Sequence, residues 1–386
     1  MDPPVDVATL SASARRVLDP ASPAPLRQMA AKGLAPGIRP GEALTIVALL
    51  AESTDAAVAT PARATLDRLP APLLQGALAG DLPPGVLAVV ASRYAQNPTV
   101  MEKLLAHPAL PAAAVLEVAE KASEEVAELV AINEQRLLAH PAIIEKLYMN
   151  KATRMSTADR VLELAVRNRL ELTGIPAYKE AAIAIGQELI AEPSPEPTPD
   201  DLLFREVEAV ASALPLDPTK EDTHRVDETT GEEVVEQKFL PLYARVAAMT
   251  VSQKIRLAMI GSARDEQGII SGGACRLLLV RDSNRLVATS AIKSPLIQES
   301  EVTLISASLN VSEDVLRTIA MDREWTRSHQ IKLNLVSNPR TPFAFASKLI
   351  SHLREHELKA LAKSKNVGGA VVTAAKQQLQ RRNVKD

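Results

Sequence analysis

At 386 residues the chain carries enough apolar surface for two ordinary domains or one extended repeat array, and a formal net charge of −3 gives it no global attraction to nucleic acid or to a membrane surface. Only 2% of the residues are aromatic, Gly is sparse, and Ala and Leu dominate, which excludes the β-branched and aromatic runs of a sheet protein and points to an all-α fold. A single cysteine, Cys275, excludes an internal disulfide framework and fits a reducing compartment.

The first residues, "MDPPVDVATL", lack the basic start and apolar core of a signal peptide, and the longest strongly apolar run, "ALTIVALLA" at Ala43 to Ala51, is about half of what a bilayer span needs. A cytoplasmic protein with no membrane partner is expected. "STDAAVATPARATLDRLP" (Ser53 to Pro70) opens with an acid-led turn and continues as a helix with Val58, Ala62, Leu66 and Leu69 on one face. Helix-to-helix corners follow in "YAQNPTVMEKLL" (Tyr94 to Leu105) and in "LLAHP", which occurs at Leu104 to Pro108 and again at Leu137 to Pro141. These corners keep no constant period, so residues 1–190 read as an irregular helical-repeat domain.

Composition changes next. "AEPSPEPTPDD" is Pro-rich and acidic, "LLFREVEAVASAL" (Leu202 to Leu214) fits an isolated amphipathic helix, and the stretch from Pro215 to Lys238 reads as polar coil. From Ala191 to Glu236 there are 14 acids against Arg205, Lys220 and Arg225, a net of −11. Residues 191–238 are therefore expected to be an acidic linker between two helical arrays.

In residues 239–386 the stretch "LVSNPRTPF" (Leu335 to Phe343) is the most informative. A helix should end near Ser337, with Asn338 closing it in the left-handed conformation and Pro339 barring its continuation; Thr341 would cap the next helix, with Pro342 at its first position. "HPALP" (His107 to Pro111) repeats the proline spacing of "NPRTP" (Asn338 to Pro342). Steps of 28 residues place Asp282, Asn310, Asn338 and Asn366 in one turn column. Leu277, Ile305, Leu333 and Leu361 form an apolar column before the corner, with Val287, Val315, Phe343 and Val371 after it and Ala288, Leu316, Ala344 and Val372 alongside. Twenty-eight residues accommodate two short helices and two turns, and a pair that small buries its apolar face only by stacking on its neighbours. The expectation is an α-solenoid of short antiparallel helix pairs with a period of 28. The Gly-rich stretch from Gly261 to Arg276 interrupts it.

On these residues a resemblance can be stated. "NPRTPFAFASKLI" resembles the bacterial leucine-rich repeat variant signature, and Ser53 to Pro70 resembles half of a HEAT repeat. The resemblance covers scattered pieces of the chain and implies an ARM/HEAT-type architecture.

Motifs that could carry chemistry are weak. "HLREH" (His352 to His356) matches the H-x-x-E-H zincin pattern, but only Asp386 remains among later acids to serve as the distal ligand. "SAIK" (Ser290 to Lys293) matches S-x-x-K without the partner motifs S-D-N and K-T-G. Cys275 reads as a small buried residue at a helix start, and "GIISGGA" as a loop rather than a nucleophile elbow or phosphate cradle. No cofactor and no metal are expected. Trp325 reads as a core anchor, as do Phe343 and Phe345.

Charge points to a binding role. From Pro339 to Asp386 ten Lys or Arg face Glu355, Glu357 and Asp386, a net of +7. Arg354, Lys359, Lys363, Arg381 and Arg382 are the candidate contacts for an acidic protein partner, with nucleic acid as the alternative and a solvated face as the plain reading. Asn310, Asn338 and Asn366 are candidates for an edge that hydrogen-bonds an extended peptide, or else each satisfies its own corner. The whole reads as a non-enzymatic bacterial protein-interaction scaffold. Its competitors are a DNA-binding or DNA-repair protein on a HEAT-like scaffold and a zinc hydrolase using His352 and His356. The opposite charges of the acidic segment and the basic end suggest that the former rests on the latter.

Overall fold

The computed structural model describes residues 5, 7–214, 216–261 and 272–383, and it is mostly helical. Most of the Gly-rich stretch between Gly261 and Arg276 lies outside the described residues. The chain divides into two compact units, Met1–Thr157 and Ala158–Asp386.

In the first unit a 3₁₀ turn precedes α1 (Ala12–Leu18), α2 (Ala24–Ala31), α3 (Pro40–Ala51), α4 (Ala56–Asp67), α5 (Ala71–Leu78) and α6 (Pro84–Arg93). There follow α7 (Pro98–Ala106), α8 (Ala112–Lys121), α9 (Glu124–Ala131), α10 (Glu134–Ala139) and α11 (Ala142–Met149), and α12 (Met155–Arg167) starts at the unit's end. The apolar run noted at Ala43 is α3, whose Leu44, Ile46, Val47 and Leu50 are buried because α1, α2, α4, α5 and α6 all pack on it. A helix surrounded by others is apolar on every side. No helix among the described residues is long and apolar enough to cross a membrane.

The second unit contains α13 (Tyr178–Ile185), α14 (Pro199–Ala213), a hairpin of β1 (His224–Val226) and β2 (Glu233–Val235), α15 (Leu240–Ala247) and α16 (Val251–Ile260). Then come α17 (Gly273–Leu279) and α18 (Arg285–Ile292), α19 (Glu299–Ala307) and α20 (Glu313–Met321), α21 (His329–Ser337) and α22 (Phe343–Ile350), and α23 (Glu355–Lys363) and α24 (Gly369–Asn383). Helices pack on the next but one: α16 on α18, α18 on α20, α20 on α22 and α22 on α24, with α17 on α19 and α19 on α21. The first unit does the same from α1 on α3 to α4 on α6.

The four late helix pairs share one corner length. Residues 280–284, 308–312, 338–342 and 364–368 separate the two helices of each pair. The other connections vary: 293–298, 322–328 and 351–354. The second helices accordingly begin at Arg285, Glu313, Phe343 and Gly369, so the step is 28, then 30, then 26. This displaces the third pair from the expected columns. Leu335, not Leu333, takes the buried place before the corner, and Ala346 replaces Ala344 after it. Phe343 is 46% exposed rather than core, Phe345 is half-buried, and so is Trp325, which sits in a 3₁₀ turn of the longest connection. Thr341 does not cap α22: Pro342 is its N-cap, and Thr341 Oγ1 is buried without a hydrogen-bond partner among the described residues.

Asn338 ends α21 in extended backbone (φ −80°, ψ 119°) instead of the left-handed conformation. It is the C-cap, the place held by Val280, Ser308 and Ser364 in the other pairs, whereas Asp282, Asn310 and Asn366 lie two residues past the cap. The Asn column is thus two structural positions.

The acidic segment also differs from expectation. The helix anticipated at Leu202 to Leu214 is α14, but it is docked: Phe204, Val207 and Ala211 are buried, and α15 and α16 pack on it. The polar coil contains the hairpin. Glu180 of α13 pairs with Lys293 at 2.7 Å and α13 packs on α16 and α18, so the units divide before α13 rather than after residue 190.

Asn338 is 5% exposed and its Nδ2 donates to Ser306 O (3.1 Å) and Ser308 O (2.8 Å), the last carbonyls of α19. Asn150, the C-cap of α11, does the same to Ala119 O and Ala122 O at the end of α8, both at 3.0 Å. Helix ends leave carbonyls without intrahelical partners, and burying them unsatisfied costs about 1–3 kcal/mol. Urea denaturation should show Asn338→Ala and Asn150→Ala each losing about 1–3 kcal/mol, with the exposed Asn366→Ala within about 0.5 kcal/mol of the native chain.

Candidate functional site

The hairpin forms because its turn is chemically specified. Asp227 Oδ1 accepts from the backbone N–H groups of Thr229 (2.8 Å) and Thr230 (3.1 Å), and Gly231 supplies the positive φ of 72° that closes the loop. These bonds hold the Asp227 carboxyl below its ordinary range. β1 and β2 then pair antiparallel, His224 with Val235 and Val226 with Glu233.

The hairpin lies on two of the helix corners. Arg281, past the end of α17, forks onto Asp222 through Nη2 (2.7 Å) and Nη1 (3.1 Å). Its Nε donates to Ser308 Oγ at 3.1 Å and lies 3.5 Å from Glu233 Oε2. Ser308 Oγ in turn donates to Glu233 Oε2 (2.7 Å), the Leu309 N–H donates to Oε1 (2.7 Å), and Asn310 Nδ2 donates to the Glu233 carbonyl (3.1 Å). The side chain of Arg281 is 3% exposed, so its charge is met almost wholly by these acids and by Leu277 O. One carboxylate and its own backbone carbonyl are therefore both read by consecutive residues 308–310.

Beside this contact a cleft of about 530 Å³ opens between the hairpin, α15, α16 and the α17–α18 corner. Val235, Val246 and Leu278 give it apolar walls, and His224, Lys254 and Asp282 give it a polar rim. Lys254 and Asp282 pair at 3.0 Å, each side chain 14% exposed. Burial pushes the His224 imidazole down from 6.5 to about 4, and the neighbouring Arg281 adds to the effect against Asp222 and Glu233. His224 is neutral at physiological pH.

The other residues singled out by sequence lie elsewhere in the second unit. Asn338 is committed to the α19 carbonyls and is no surface contact; Asn310 alone of the three Asn binds an extended segment, and Asn366 is exposed. On α23 and α24, Lys359 pairs with Glu355 at 2.5 Å and Arg382 Nη2 donates to Ser351 O at 2.8 Å, while Arg354, Lys363 and Arg381 are exposed. Glu357 is buried and receives the Arg354 N–H (2.6 Å) and His329 Nε2 (2.7 Å); burial raises its carboxyl, but these two partners outweigh it and the net shift is downward. His352 sits in the turn before α23 and His356 in its first turn, so the two are not one helical turn apart on one helix. Ser290 donates to Leu286 O and Lys293 pairs with Glu180, so each of the S-x-x-K residues has a structural partner of its own. Cys275 is buried, and burial raises its thiol to about 12. Among the described residues, Asp222 and Glu233 of the acidic segment contact Arg281 and residues 308–310.

Sequence reasoning missed the hairpin and Arg281. The signal was the D-x-x-x-G spacing of Asp227 and Gly231 between "HRV" and "EVV". Comparison with protein-family models found no match, and neither did comparison with curated proteins or with solved structures.

A pH prediction follows from His224. Below about 6.5 the unfolded chain protonates this ring, whereas the folded one resists protonation until about 4, so the stability held by the neutral ring is complete above 6.5 and lost as pH falls toward 4. Denaturation measured across this window should give a flatter pH profile for His224→Gln than for the native chain, the carboxylates contributing equally to both.

Proposed function

We propose that the chain is a non-enzymatic protein-interaction scaffold, an α-solenoid of short antiparallel helix pairs of HEAT/ARM type acting in the cytoplasm on a protein partner. The observation that carries this reading is that two corners of the helix pairs already hold a non-repeat segment, residues 222–235, through a buried Arg fork, a hydroxyl, a backbone N–H and an Asn amide. Stacked pairs expose a run of such corners, and extended surfaces of this kind suit protein recognition. The groups with catalytic precedent point the same way: Ser290, Lys293 and Cys275 are each engaged or buried in structural roles. Arg354, Lys363 and Arg381 add a second exposed surface for an acidic partner.

Affinity capture from the native cell with the full chain as bait tests this. A protein partner recovered in stoichiometric amount after nuclease treatment is the expected result. Retention of nucleic acid alone, lost on Lys363→Glu with Arg381→Glu and falling steeply with salt, would replace the scaffold by the nucleic-acid reading.

A further inference from the structure

Resting on the scaffold reading, we infer that Arg281, Ser308, Leu309 and Asn310 form a docking site for an extended acidic segment of a partner protein, and that residues 222–235 of this chain occupy it as a built-in competitor. The site asks little of its occupant. It reads one Glu through both its carboxylate and its own carbonyl, and a second carboxylate through the Arg281 fork. Any extended segment that presents two acids at that separation meets the same donors. The helix pairs provide every donor, and the hairpin provides only acceptors.

The cis occupant is held in a way that permits exchange. Within 222–235 only Thr223 is buried; Val226 is 58% exposed, and Val234 and Val235 are half-buried. No large apolar side chain anchors the segment. Its hold is electrostatic and hydrogen-bonded, and the Asp222 side chain, at 21% exposure, leaves part of that hold open to solvent and to salt. Covalent attachment through α14 on one side and α15 on the other keeps it at high effective concentration, so a partner gains access by competition rather than by filling an empty groove. Arg281 selects an acid as occupant, because a neutral or basic segment seated over it would bury its guanidinium, 3% exposed beneath the hairpin, without a counter-charge. An apolar or basic segment is rejected for the same reason.

The test uses a fluorescent peptide with the sequence of residues 219–238 added in trans to the full chain at low salt. Asp222→Asn with Glu233→Gln loosens the cis hairpin without altering the corner, and should bind the peptide with one-to-one stoichiometry at least about tenfold more tightly than the native chain does. Adding Asn310→Ala should remove about fivefold of that affinity, the effect of one lost hydrogen bond. A peptide carrying Asn and Gln at the two acidic positions should not bind, and high salt should weaken binding of the acidic one. In the native chain, excess acidic peptide should speed amide exchange across 223–236 as the hairpin is displaced, an arm that holds even where the double variant unfolds. Equal affinity of the native and loosened chains, binding of the neutral peptide, or unchanged exchange across 223–236 would each overturn the proposal and leave the hairpin as a structural staple. Failure of the affinity capture with peptide exchange intact would instead overturn the scaffold reading and leave the docking site standing.

Discussion

Short helices are governed by their ends. A helix of eight or nine residues, the usual length here, leaves up to four N–H and four C=O groups without intrahelical partners, so nearly half of its backbone polar groups must be met from outside. Stacking alone would bury those groups at a cost. In this protein the answer is repeated: a side chain from one helix or its cap reaches the closing carbonyls of the helix it packs on. Asn150 and Asn338 do so with their amides, and Arg63 and Arg382 do so with guanidinium groups onto Ala51 O and Ser351 O. The ion pairs Arg27–Asp55 and Lys254–Asp282 and the His329–Glu357 hydrogen bond also link residues 28 apart. Apolar burial drives the helices together, and these polar links decide at which offset they stop.

That division of labour explains which parts of the fold were legible in the sequence. Helix class, the end of α21 at Ser337 and the existence of α14 came from local chemistry: propensity, a proline after the cap, and an amphipathic face. The 28-residue step was visible because three of the four corners obey it. It misplaced Leu333, Phe343 and Ala344 because the count assumed that every connection is equally long, whereas 322–328 takes the chain out through an extra 3₁₀ turn around Trp325. The first unit showed no constant period, yet Arg27, Arg93 and Lys146 bond across it to Asp55, Asp67 and Glu120 at separations of 28, 26 and 26. Its regularity is carried by ion pairs, which apolar columns do not reveal.

The candidate site was legible only in fragments. Asn310 and an acidic segment were both marked, but not as partners. Net charge directed attention to the lysine- and arginine-rich end, while the cation buried among acids is Arg281, three residues past Leu278 and indistinguishable in sequence from any solvated arginine. Its importance comes from being buried among acids, a property of the fold. The −11 segment likewise reads as repulsive coil until two of its carboxylates are given one guanidinium to share. A linker label hid a folded element because strands of three residues leave almost no periodic trace.

The two kinds of connection between helices have unequal freedom. The corners at 280–284, 308–312, 338–342 and 364–368 share one length; the first two hold the hairpin, and the third aims Asn338 at the carbonyls of α19. The connections at 293–298, 322–328 and 351–354 differ from one another in length. One edge of the late helix pairs is thus a ruler and the other a margin. New sequence can be written into the margin, as a 3₁₀ turn already has been, while the ruler keeps the count; residues added to the ruler would break the spacing by which every later pair finds its place.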